Sequence, residues 1–100
     1  MTRRLLGLLG LGVRARNVVL GVTGTRAELH RGTLHCVVMA ADASPRTREK
    51  VERLAVALKV PVVRGPEATV LGAGLGRPPV QAIGVSDRSL ARGVLGLSEE

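Results

Sequence analysis

The sequence predicts an α/β protein: a three-layer α/β/α sandwich around a mixed, largely parallel four-stranded sheet, built as a single domain over residues 1–100. Three observations carry that prediction. Short apolar runs rich in β-branched residues alternate with longer amphipathic stretches in the order α-β-α-β-α-β-α-β-α, the pattern of helices laid on both faces of one sheet. The run from Leu34 to Ala41 is apolar but for His35, so it suits a strand covered on both faces. One hundred residues at 45% hydrophobic content supply one core and not two.

Residues 1–13 carry Arg3-Arg4 and then the run LLGLLGLGV. They read as a first helix, apolar on most sides, weakened by Gly7, Gly10 and Gly12, and packed on the sheet. A signal peptide is the alternative. The charged start fits it, whereas Arg14 and Arg16 directly after the run, and the lack of a small-x-small cleavage site, do not. The run is too short to span a bilayer. Val18 to Leu20 is a short strand after the basic turn Arg14 to Asn17. Gly21 follows, and a second helix runs to about Arg31. Thr25 and Glu28 have capping-box spacing, which predicts a late start for its regular part, and Gly32 is its stop.

After the Leu34 to Ala41 strand, Ser44 as N-cap and Pro45 in the first turn start a third helix. Val51, Leu54, Ala55 and Leu58 form its apolar stripe. Arg46, Arg48, Glu49, Lys50, Glu52 and Arg53 take the solvated face. Val60 to Val63 is the next strand, so the unit is a right-handed parallel crossover. Glu67 to Leu75 is a short helix closed by Gly72, Gly74 and Gly76, and Pro78-Pro79 is a turn. Val80 to Val85 is the fourth strand. Ser86 or Asp87 caps a last helix that buries Leu90, Ala91, Val94 and Leu97.

The charge of +7, carried by thirteen Arg and two Lys, favours an anionic partner, with nucleic acid foremost. A GC-rich genome accounts for Arg over Lys but not for the excess of bases over acids. With no Phe, Tyr or Trp, bases cannot stack on aromatic rings. Cys36 lies in the buried run and reads as a core residue; one cysteine makes neither a disulfide nor a cysteine-based metal site. His30 and His35 lack ligand spacing, so no metal is expected. GAGLG lacks the strand-then-helix context of a phosphate loop. Asp42, Glu67 and Asp87 all follow strands, and a magnesium site would need two of them to converge. Acids at helix starts are favoured electrostatically without any metal, however, and no Ser-His-Asp or Cys-His arrangement is suggested. No catalytic residue is therefore expected.

The strings LLGLLGLGVRARNVVLG, HRGTLHCVVMAADASPRTREKVERLAVALKVPVV and LGAGLGR are similar to the kink-turn RNA-binding ribosomal protein family, over about residues 4–97. That family includes the archaeal large-subunit protein seven-Ae and bacterial YlxQ-type relatives. The resemblance implies a non-catalytic, cytoplasmic, ribosome-associated protein that grips structured RNA, with no cofactor, no small-molecule substrate and no membrane partner. It also implies a site. The family motif Gly-x-Asn-Glu-x-x-Lys places Gly21 on the glycine, Thr23 on the Asn, Gly24 on the Glu and Ala27 on the Lys; only the glycine is kept. In the family the Asn and Glu bond the guanines of tandem sheared G·A pairs, and Gly24 and Ala27 have no side-chain group to do so. Arg26, one residue early, offers a cation. Asp42 matches the acid after the central strand, and Val62, Val63 and Arg64 match the loop that covers a flipped-out nucleotide. Arg14 and Arg16 complete the expected RNA-binding set. The plainer readings are a turn-forming Asp42, a solvated arginine face, and strand-end core roles for Val62 and Val63. The alternative function is a protein-interaction module of the same fold that has lost specific RNA binding.

Overall fold

Four short strands, β1 (Val18–Leu20), β2 (Cys36–Met39), β3 (Val62–Arg64) and β4 (Ala82–Val85), form one sheet in the order β1-β4-β2-β3. They are taken from a computed structural model that describes residues 2–97; Met1 and residues 98–100 of the expected 1–100 domain lie outside the described residues. The crossover from β2 to β3 is parallel, as expected, with Val37 opposite Val62 and Met39 opposite Arg64. The sheet is mixed, but it is not largely parallel. β4 runs antiparallel to both β2 and β1, pairing Val38 with Ile83 and Val18 with Val85. The turn before β4 returns the chain to the sheet at the end where β2 and β3 leave it. Hydrophobic period marks a strand but carries no sign of its direction.

Among the described residues five helices cover the two faces: α1 (Thr2–Ala15), α2 (Val22–Arg31), α3 (Pro45–Thr47, Arg48–Glu52 and Arg53–Ala57), α4 (Ala68–Gly74) and α5 (Arg88–Leu97). α1 packs on α5 and α4, and α2 packs on α3, which gives the sandwich its outer layers. All four β2 residues are buried. Burial pushes the Cys36 thiol up to about 12, so it stays protonated at neutral pH and serves as a core group. No helix among the described residues is long and apolar enough to cross a membrane.

α2 starts earlier than its capping-box spacing suggests. Gly21, at φ 98° and ψ 163°, turns the chain from β1 straight into the helix without a side-chain cap. Thr25 therefore sits inside the helix, fully buried, and its Oγ1 has no hydrogen-bond partner. Glu28 instead accepts from Arg31 Nη1 and from Thr33 Oγ1, both at 2.9 Å, while Gly32 ends the helix in the left-handed region as expected. A buried hydroxyl without a partner costs about 1–3 kcal/mol. Thr25→Val keeps the shape and removes that cost, so the variant should melt several degrees above wild type, about 4–8 °C per kcal/mol in a domain of this size. A melting temperature at or below wild type in a thermal scan counts against this account.

α3 begins as its sequence dictates: Ser44 Oγ accepts from the Thr47 N–H at 3.1 Å, and Pro45 takes the first turn. Its stripe then departs from the expected one. Residues 48–52 form a π-helical segment, whose wider turn shifts the buried line to Thr47, Val51 and Ala55, every fourth residue. Leu54 is half-buried, and Leu58 is 47% exposed because the helix has ended before it. The charged face is as expected, with Arg53 paired to Glu49 and Arg48 within 3.7 Å of Glu52. In α5, Asp87 rather than Ser86 is the cap, since its Oδ2 accepts from the Leu90 N–H at 2.8 Å. Ser86 Oγ instead donates to the Asn17 carbonyl at 2.9 Å. Ala91, Val94 and Leu97 are buried and Leu90 is half-buried.

Candidate functional site

β1, β2 and β3 run the same way, so their carboxyl ends open on one edge, and β4 enters the sheet there. Four segments meet on this edge: the start of α2, the loop Ala41 to Ser44, the loop Arg64 to Pro66, and the turn Arg77 to Gln81. Sheet hydrogen bonds extend into all of them. The Gly21 N–H donates to the Ala82 carbonyl at 2.8 Å, the Ala40 N–H to Gln81 at 2.9 Å, the Ala41 N–H to Pro66 at 3.0 Å and the Gly65 N–H to Met39 at 2.8 Å. Gln81 Oε1 accepts from the Ser44 N–H at 3.0 Å, tying the turn to the α3 start. Between Leu20–Val22 and Arg77–Gln81 lies a cleft of about 410 Å³, walled by Leu20, Val22 and the two prolines, with Arg77 at its side.

The expected site residues divide between places. Gly21 lines the cleft; Thr23 and Ala27 stand exposed on the first turns of α2, four residues apart and so on one face. Arg26 lies one turn after Val22, on the side of the cleft, and its Nε is shut off from solvent with no hydrogen-bond partner. Gly24 faces inward instead: a β-carbon there would come 2.6 Å from Val19 Cγ2, so this position packs α2 onto β1 and has no room for a reading side chain. Asp42 is exposed, yet its Oδ1 accepts from the Ala68 N–H at 2.8 Å, so it also braces the start of α4 from the neighbouring loop.

Val62, Val63 and Arg64 are strand residues, and alternation separates them. Val62 and Arg64 share a shallow depression of about 360 Å³ with Arg48. Val63 points into the core at 3% exposure and is not available to cover a ligand. Arg48 Nη2 donates to the Ala41 carbonyl at 3.0 Å, with Arg64 Nη2 at 3.5 Å from the same oxygen. Arg14 and Arg16 are not on this edge. They end α1, and β1 then carries the chain across the sheet to Gly21, so they lie at the opposite edge. Asp87 is there too, because β4 runs the other way, and the three carboxylates do not converge. Among the described residues no group of three or more His, Cys, Asp or Glu could hold a metal ion.

What remains on the edge is an apolar cleft with Arg77 in its wall and Arg26 one turn after Val22, and, at the separate depression beside β3, Arg48 and Arg64; Asp42 and Glu67 are the acids of the same edge. Sequence reasoning missed the far wall of the cleft. Pro78-Pro79 was legible as a turn, but its place opposite Gly21 follows only from the reversed direction of β4.

Residues 3–93 match the ribosomal protein L7Ae/L30e/S12e/Gadd45 family. The RNA-binding protein YlxQ of Bacillus subtilis is 32% identical over 90 residues, covering 90% of each chain. A protein of unknown function from Bacillus halodurans has the same fold at TM-score 0.90 and 28% identity, over 97% of this chain and 98% of its own. The Giardia lamblia 15.5kD RNA binding protein shares the fold at TM-score 0.76 and 24% identity, over 96% of this chain and 85% of its own.

Proposed function

The chain belongs to the ribosomal protein L7Ae/L30e/S12e/Gadd45 family, and from that premise we propose that residues 1–100 are one non-catalytic domain that binds structured RNA. The proposed site is the edge formed by the start of α2 and the turn Arg77 to Gln81. The observation that carries this reading is the apolar cleft with Arg77 in its wall, on an edge that also carries Arg26, Arg48 and Arg64. The cleft can take an unstacked base while the guanidinium groups hold phosphates. The name of the Bacillus subtilis relative supports RNA as the partner. A sharply bent RNA of the kink-turn class fits best, since a bend is what exposes a base to such a cleft. Association with ribosomal RNA in the cytoplasm belongs to the same proposal.

Recognition here rests on shape and phosphates more than on base edges. Thr23 and Ala27 offer little to a guanine edge, and Gly24 is turned away from it. The test is a salt titration of binding to a kink-turn RNA beside a plain duplex. Neutralising about four phosphates gives a log–log slope of roughly −3 to −4, and Arg77→Gln should make it shallower by about 1. Affinity that ignores salt, or an Arg77→Gln variant identical to wild type, refutes the proposed edge. Absence of any RNA binding would leave the protein-interaction reading of the same fold.

A further inference from the structure

The opposite edge of the sheet is also basic, and three of its cations, Arg16, Lys59 and Arg88, stand where the backbone or the helix dipole does not favour them. Arg16 and Lys59 are the two non-glycine residues of the described chain with positive φ, at 60° and 61°. Each follows a helix and turns the chain toward a strand, a position that favours glycine because a β-carbon is strained there. The chain uses glycine at the equivalent end of α2. Arg88 opens α5, where the helix dipole favours an acid over a cation. Arg14 lies in the last turn of α1, and Arg16 and Lys59 follow helix ends, so at these three the cation suits the dipole and only the backbone of Arg16 and Lys59 is strained. All four are exposed.

The topology lines these residues up. The Ser86 N–H donates to the Asn17 carbonyl at 2.8 Å, and the His35 N–H donates to Val85 at 2.8 Å. The ends before β1, after β4, before β2 and before β3 therefore form one row, three inter-strand steps or on the order of 14 Å long. Among the described residues the acids near the row are engaged: Asp87 accepts from the Leu90 N–H, and Glu28 holds Arg31 and Thr33. Strands of four residues span about 10 Å, so the two edges are separated by more than one screening length at physiological salt. The charge of one edge does not serve the other.

We infer that this second edge is a phosphate-binding surface for the backbone of a further RNA helix, so that one protein holds two RNA segments at opposite ends of its sheet. The inference rests on RNA being the partner, as proposed above. Residues in strained or electrostatically opposed positions are retained where a function needs the side chain, and a row of exposed cations with no aromatic platform fits a phosphate backbone.

The test uses Arg16→Gly with Lys59→Gly. Glycine accepts both backbone positions, so the double variant should fold and melt at or above wild type. Its charge-matched control is Lys50→Gln with Arg53→Gln, on the exposed face of α3 between the edges. Binding of a labelled plain RNA duplex is measured by anisotropy across salt, with the protein alone and with it saturated by an unlabelled kink-turn RNA. The expected result is that the duplex still binds to the saturated protein. Its salt slope should be shallower by about 1.8 in the glycine variant, and much less changed in the control. Displacement of the duplex by the kink-turn RNA, equal slopes in the two variants, or no duplex binding at all would overturn the inference. If the kink-turn RNA itself fails to bind, the proposed cleft site fails. The duplex titration on the protein alone still decides the second edge.

Discussion

Gly72→Ala is expected to deform the cleft and destabilise the whole protein. Gly72 is buried in α4, and a β-carbon built on it would lie 2.2 Å from the Pro78 carbonyl oxygen, 2.7 Å from Pro78 C and 2.9 Å from the Arg77 oxygen. All three contacts are backbone, and the Arg77 N–H is itself tied to the Gly72 carbonyl at 2.8 Å. The wall cannot yield by a side-chain rotation. Two effects oppose each other. Alanine favours a helix over glycine by about 1 kcal/mol, whereas forcing a methyl group into filled space costs typically ~1–3 kcal/mol and more against fixed atoms. The clash wins, and it pushes Arg77 to Gln81 away from Gly21. Gly7→Ala is the matched control, since nothing lies within 4 Å of a β-carbon there and the helix gain stands alone. Chemical denaturation should show Gly72→Ala less stable and Gly7→Ala more stable than wild type. RNA affinity should fall only in the first. A Gly72→Ala variant as stable as Gly7→Ala would mean that helix and turn are not in contact.

The second large effect concerns selectivity. Thr23→Asn with Ala27→Lys places a planar amide and a cation on the exposed face of α2, beside the cleft. Each new hydrogen bond involving a charged group contributes roughly 1.5–3 kcal/mol when its geometry is right. At ~1.4 kcal/mol per tenfold change, preference for a kink-turn RNA over a plain duplex should rise at least about tenfold. Adding Gly24→Glu should erode that gain, because the new β-carbon must displace Val19 of β1, 2.6 Å away, before its carboxylate can reach any RNA. The measurement is the ratio of the two dissociation constants at one salt concentration, for wild type, double and triple variants. A triple variant that exceeds the double in both stability and selectivity would show that α2 has room at position 24. No gain in the double would show that this face does not meet the RNA.

These expectations show which parts of the molecule were legible beforehand. Ser44-Pro45 announced the start of α3, Gly32 the end of α2, and the Leu34 to Ala41 run the fully buried β2, because capping, left-handed backbone and burial on two faces are read from adjacent residues. Of the residues that the resemblance singles out, Gly21, Thr23, Ala27 and Asp42 lie toward the edge that holds the cleft. Other expectations failed where backbone geometry or packing overrode the spacing of side chains. The capping box at Thr25 and Glu28 gave way to the turn that Gly21 permits. The stripe at Leu58 gave way to a π-helical segment and an early helix end. Val63 was taken by the core.

By itself, then, the sequence determined the order and type of the elements, the Ser44 cap and the Gly32 stop, the family and the basic character of the surface. All of these depend on residue type and on spacings within a few turns. Tertiary structure alone decided the direction of β4, and much follows from that direction. It placed Arg77 and the prolines opposite Gly21, sent Asp87 to the other edge, and made β4 the partner of both β1 and β2. The split of the arginines into two edges arises in the same way, because three residues of β1 are enough to carry the chain from Arg16 at one end of the sheet to Gly21 at the other. Period and composition are unchanged when a strand is reversed, whereas the hydrogen-bonded register and the ends of the sheet are not.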